Sequence, residues 1–133
     1  MNKKTMISVA AIFVLTMVLD ILVHGVLLFD SYAQLPSLYR TQQDQQTYFL
    51  HMLLAHVFIA VGFVWVYLEG RKDKPWLAQG LRYGLAMIVL TVFPTYLIYY
   101  AVQPLPDALV AQQIIYDSIA KFATALVLAW INR

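Results

Sequence analysis

Residues 6–29 read MISVAAIFVLTMVLDILVHGVLLF. The run outlasts the roughly 20 residues that cross the hydrocarbon of a bilayer as a helix, and its length decides the fold class. Inside it stand Asp20 and His24. Residues four apart on a helix share a face, one turn over the other. Ionisable groups within a membrane are costly and mark a pathway, a buried pair or a ligand site.

Three further apolar stretches of similar length follow. The four spans are expected at about Met6 to Phe29, Tyr48 to Leu68, Gly80 to Val102 and Leu109 to Trp130. Of the 133 residues, 62% are hydrophobic and only 12% charged, about half the charge of an average soluble domain. Every connection is too short to hold a soluble domain, so residues 1–133 form one all-α, integral membrane four-helix bundle. The chain has no Cys, which removes disulfides, thiol chemistry and cysteine-ligated metals. No basic block resembles a nucleic-acid surface.

The first connection, DSYAQLPSLYRTQQDQQT, is polar and Gln-rich, with Leu35, Leu38 and Tyr39 suited to resting on lipid headgroups. The second, EGRKDKPWLAQ, is a short charged turn from which Pro75 and Trp76 restart the chain at the interface, where Trp is favoured. The third, QPLPD, is tight. Lys3, Lys4, Arg71, Lys72, Lys74, Arg82 and Arg133 fall on one side of this four-span layout, Arg40 falls on the other, and Lys121 lies within a span. The positive-inside rule then puts both termini in the cytoplasm of a bacterial-type inner membrane. A signal peptide competes for the N-terminus, because MNKK precedes an apolar run and Ser31 to Ala33 imitates a cleavage site. The run is far longer than a signal core of about 7–15 residues and carries Asp20 and His24, so it is expected to be retained.

At about 1.5 Å per residue, polar groups from all four spans reach one slab in the outer half of the bilayer. Asp20 and His24 come from the first span, His56 and, nearer the boundary, His51 from the second. Thr91, Thr95 and Tyr96 come from the third, and Asp117 and Lys121 from the fourth. Asp117 and Lys121 are an i, i+4 pair expected to satisfy each other. A cluster of imidazoles and carboxylates can hold or pass a proton near neutral pH. The bland alternative is interhelical glue worth about 0.6–2 kcal/mol for each polar contact.

No catalytic signature such as HExxH or a Gly-rich phosphate loop is present, so a membrane-embedded enzyme acting on lipid or quinone is the last of the readings and no cofactor is expected. His51 and His56 lie about 140° apart around one helix and do not share a metal as an i, i+4 pair would. A b-type haem held by His24 and His51 is a third reading, since both stand at one depth. Gly80 and Gly84 form a lone GxxxG suited to helix contact. Tyr96, Tyr99 and Tyr100 resemble an aromatic belt, and Pro94 is expected to kink the third span and free a carbonyl near the slab.

The two hairpins are faintly alike: VLDILVHGVLLFDSYAQLP corresponds to VLTVFPTYLIYYAVQPLP, each continuing through a Gln pair to an aromatic. In this register Asp20 matches Thr91 and His24 matches Thr95, a parallel repeat about an axis along the membrane normal. With its basic central turn LEGRKDKPW, the chain resembles the small uncharacterised four-span inner-membrane proteins of bacteria in size and topology. That resemblance implies no functional residue.

The leading expectation is a protein that binds or translocates a proton or small polar solute, with Asp20, His24, His56, Asp117 and Lys121 as the site and Thr91, Thr95 and Tyr96 lining it. The runner-up is an accessory or assembly subunit of a larger membrane complex. A bundle this thin is expected to associate with itself or a partner in the lipid bilayer.

Overall fold

The structure is a computed structural model that describes residues 2–133. All regular elements among the described residues are helical. Four helices are long and apolar enough to cross a membrane: Lys3–Leu27, Phe49–Gly70, Trp76–Val102 and Asp107–Ile131. They are called the first to fourth spans below.

Each boundary has a local cause. The first span begins where Asn2 caps it, its side-chain oxygen accepting from the Thr5 N–H at 2.8 Å and the Thr5 hydroxyl at 2.9 Å. Such a cap satisfies donors that the first turn leaves without partners. The second span ends at Gly70, whose carbonyl accepts from Arg82 Nη2 at 2.6 Å; a cation there also suits the negative end of the helix dipole. The third span starts at Trp76, four residues ahead of the Gly80 expected from hydropathy. Its opening turns are amphipathic, with Gln79, Gly80, Tyr83 and Gly84 buried on one face, so mean hydropathy understates them while the 3.6-residue period holds.

Two spans are not uniformly α-helical. The first widens into a π-helix over Ile21–Leu27, and the Leu28 N–H beyond it bonds the Val23 carbonyl at 2.9 Å. The third widens over Ile88–Val92, just before Pro94. Proline has no N–H to donate and its ring crowds the carbonyl four residues back. The chain relieves that crowding by opening the turn, and the Thr91 hydroxyl bonds the Met87 carbonyl at 2.6 Å. π-Turns inside α-helices are frequent at functional sites.

The third and fourth spans pack most closely. A Cβ placed on Gly80 would meet Leu126 Cδ2 at 3.0 Å and Ala129 Cβ at 3.1 Å; one on Gly84 would meet Phe122 Cδ1 at 2.7 Å. In a membrane, apolar burial does not drive helix association, so close backbone approach through small residues supplies the attraction. The first span packs on the second and on the fourth. At one end of the bundle a dry core forms around Ile12, Ala60, Val64, Tyr67, Ala125 and Leu128. The two chain ends meet at this end: Asn132 Nδ2 donates to Ser8 Oγ at 3.0 Å and Lys4 Nζ to the Arg133 carbonyl at 3.2 Å.

The opposite, distal end differs from the expectation for the first connection. Short helices form at Phe29–Ala33 and Gln42–Thr47. Leu35, Leu38 and Tyr39 do not splay outward onto headgroups; they fold back and pack on a second core that contains Val23, Leu28, Val92 and Leu109. Burying those side chains against the bundle removes apolar surface from water without needing lipid. The connection is a cap on the bundle.

Candidate functional site

Beneath that cap, side chains from all four spans converge. His24 Nε2 lies 3.4 Å from Asp117 Oδ1 and 3.8 Å from Asp20 Oδ1, while His56 Nε2 lies 3.9 Å from Asp20 Oδ2. From the third span, Tyr96 donates its hydroxyl to Asp117 Oδ2. Two carboxylates and two imidazoles therefore form one connected group, anchored by a buried phenol.

The hydrogen bonds fix much of the proton placement. His56 Nδ1 faces the Met52 carbonyl at 2.9 Å. A carbonyl only accepts, so Nδ1 carries hydrogen, and the nitrogen facing Asp20 is either bare in the neutral ring or protonated in the cation. A bare lone pair beside an ionised carboxylate is repulsive. One proton shared by the Asp20–His56 pair would convert that repulsion into attraction; His56 is buried, while the Asp20 side chain is 39% exposed.

At the other imidazole, His24 Nδ1 lies 2.5 Å from the Tyr32 hydroxyl, which also accepts from Gln113 Nε2 at 3.2 Å. The Tyr32 hydrogen is thus free to point at Nδ1, leaving Nε2–H aimed at the two carboxylates. Burial pushes the Tyr32 phenol up to about 12, so its hydroxyl stays intact near neutral pH. Should Nδ1 gain a proton, the same hydroxyl can rotate and accept.

Of the residues expected from sequence, Asp20, His24, His56, Asp117 and Tyr96 come together. Asp117 does not pair with Lys121: its oxygens face His24 and Tyr96, and no carboxylate oxygen among the described residues lies within 4.0 Å of the Lys121 ammonium. Partners on other helices win because Asp117 points into the bundle. Lys121 instead lines a small cavity of about 60 Å³ together with Asp20, His56, Asp117 and Thr16. It also lines a cleft of about 480 Å³ between the second and third spans, with Thr91, Thr95 and Tyr96. Thr91 and Thr95 are lining residues only. His51 is exposed beside Tyr48, ring centroids 5.8 Å apart, while both ring nitrogens of His24 face other residues.

Sequence reading missed Tyr32 and Gln113. Tyr32 sits one short helix beyond the first span, where a folded-back connection has no periodic signal. Gln113 stands four residues before Asp117 on the fourth span, and that i, i+4 spacing, which puts the two on one face, was the available signal.

Two cavities approach the group from the distal end. One, of about 260 Å³, is lined by His24, Tyr32, Tyr39 and Arg40. The larger, about 560 Å³, is lined by Asp20, His24, Tyr32, Tyr96 and Gln113, with Gln45 and Gln103 from the connections. Toward the termini the path meets the dry core, where Ile12, Ala60 and Leu128 have no exposed surface. The group opens to the distal end through these cavities and, at Asp117, to the cleft between the second and third spans.

No protein-family profile, curated protein or solved structure matches this chain. Four candidate membrane-spanning helices around one shared polar cluster define its class as a multi-pass helical membrane protein.

Proposed function

We propose that the protein binds or translocates protons or a small polar solute through the group formed by Asp20, His24, His56 and Asp117. The observation that carries this reading is the geometry at Asp20, whose two oxygens face imidazoles from different spans at 3.8 and 3.9 Å. Glue satisfied by a fixed set of hydrogen bonds needs no extra proton; this arrangement has a place for one. The 60 Å³ cavity next to Asp20, His56 and Lys121 has room for about two waters at about 30 Å³ each, which extends the chain of exchangeable protons inward.

Further support comes from the two π-helical stretches, which place widened turns in the first and third spans at the level of the group. The end where Lys4 meets Arg133 also carries the basic turn Arg71–Lys74. That concentration of cations supports both termini in the cytoplasm of a bacterial-type inner membrane, with the distal cavities facing outward.

The test is proton movement in liposomes containing the purified protein and an internal pH dye. Wild type should dissipate an imposed pH gradient, or take up protons in proportion to protein, and Asp20→Asn should abolish the signal while remaining folded. Equal signals from wild type and Asp20→Asn would refute the reading.

A further inference from the structure

The 560 Å³ distal cavity falls within the about 300–1,000 Å³ of typical small-molecule sites, and its chemistry is one-sided. Asp20 supplies a carboxylate and His24 an imidazole whose Nδ1 faces the Tyr32 hydroxyl; Tyr32, Tyr39, Tyr96 and Tyr99 supply aromatic rings. Gln113 also lines it, 3% exposed, with Nε2 spent on Tyr32 and a buried Oε1 that has no hydrogen-bond partner. A buried orphan acceptor is costly and calls for a donor. No Lys or Arg lines the cavity. Arg40, which lines the other distal cavity, is held by Asp44 at 2.8 Å and lies over the Tyr48 ring at 3.8 Å. Lys121 lines the neighbouring cavities instead.

We propose that this cavity binds a small organic cation, an amine carried as its ammonium ion. The ammonium would sit against Asp20 with the tyrosine rings around its carbon frame, and its N–H groups would satisfy acceptors such as Gln113 Oε1. Aromatic faces and carboxylates attract cations, most strongly where water is scarce. An anion would meet the Asp20 carboxylate, and a neutral solute would gain nothing from its charge. This inference rests on the proposed proton site, because the ammonium and the proton compete for one carboxylate.

The pH dependence follows from the groups that face Asp20. His24 shares its span, His56 faces it from the second, Tyr96 from the third, and Asp117 and Lys121 from the fourth. Protons and the ammonium compete for the same carboxylate, so binding weakens as pH falls and bound amine displaces protons.

The experiment is equilibrium dialysis of the full chain in lipid nanodiscs with phenethylammonium, against the neutral 2-phenylethanol and the anionic phenylacetate, while a soluble dye reports released protons. Saturable binding of the amine alone is expected, at least about tenfold weaker near pH 5.5 than near pH 8, across the range where imidazoles titrate. Asp20→Asn should lose about tenfold or more, and Tyr99→Leu, which leaves the proton group untouched, about three- to tenfold. Equal binding of the alcohol, or no binding of the amine, overturns the cation proposal. If Asp20→Asn still loses proton uptake in that case, the proton site stands without it. Amine binding to wild type and Asp20→Asn alike, with no proton release, overturns the cation proposal, and equal proton uptake by the two overturns the proton site as well.

Discussion

Replacing Tyr96 with Phe removes one hydroxyl and leaves the ring in the distal core, so no cavity is created. The loss is the bond donated to Asp117 Oδ2. Hydrogen bonds to charged groups contribute about 1.5–3 kcal/mol in water-soluble proteins, whereas side-chain contacts between membrane helices average about 0.6 kcal/mol and reach about 1.7. Two features place this bond near the top of the membrane range. Tyr96 is 8% exposed, and among the described residues Asp117 keeps only His24 as a second partner, at 3.4 Å. One feature lowers it: Asp117 and Lys121 line the same cleft, so the ammonium can swing toward an oxygen left free. About 1–2 kcal/mol is expected. Reversible unfolding in mixed micelles measures it, and a cycle with Asp117→Asn isolates the pair. A Tyr96→Phe loss within about 0.3 kcal/mol of zero, or the same loss in both backgrounds, would refute the reasoning.

Gly84→Val should destabilise by about 1–3 kcal/mol, because its Cβ would lie 2.7 Å from Phe122 Cδ1 and 3.2 Å from Ala125 Cβ. Gly62→Ala, with nothing within 4 Å, should change stability by less than about 0.5 kcal/mol in the same micelle assay. The wild-type minus Tyr32→Phe absorbance difference should show one phenol ionising near 12, not near its ordinary 10.0. Because burial raises that value in the folded state, the associated stability is intact below 10.0 and is lost as pH rises toward 12. The chain has no Cys, so single replacements at Asp73 and Gln42 permit labelling with an impermeant maleimide. Intact cells should label position 42 and spare position 73.

The spans were legible because lipid imposes a length and excludes charge, which leaves Asp20, His24, His56 and Asp117 conspicuous. Their convergence was legible too, since depth follows from residue count once each helix crosses. Rotation about the helix axis was not. Asp117 and Lys121 satisfy an i, i+4 rule locally, yet His24 and Tyr96 take the carboxylate because tertiary contacts outweigh a neighbour on the same helix. The connection Asp30–Thr41 reads as polar, and only packing of Leu35, Leu38 and Tyr39 on the distal core reveals it as a cap that delivers Tyr32 to His24. The π-turn before Pro94 has a sequence cause; the one over Ile21–Leu27 has none that we identify.

The decisive measurement is the infrared difference spectrum of the protein in nanodiscs between about pH 5 and pH 8, the range in which imidazoles change charge. Carboxyl and imidazole bands that change together in wild type, and that both diminish in Asp20→Asn and in His56→Gln while the contributions of His24 and His51 remain, are the predicted result. A spectrum in which either variant retains both bands unchanged would contradict a proton shared between the first and second spans.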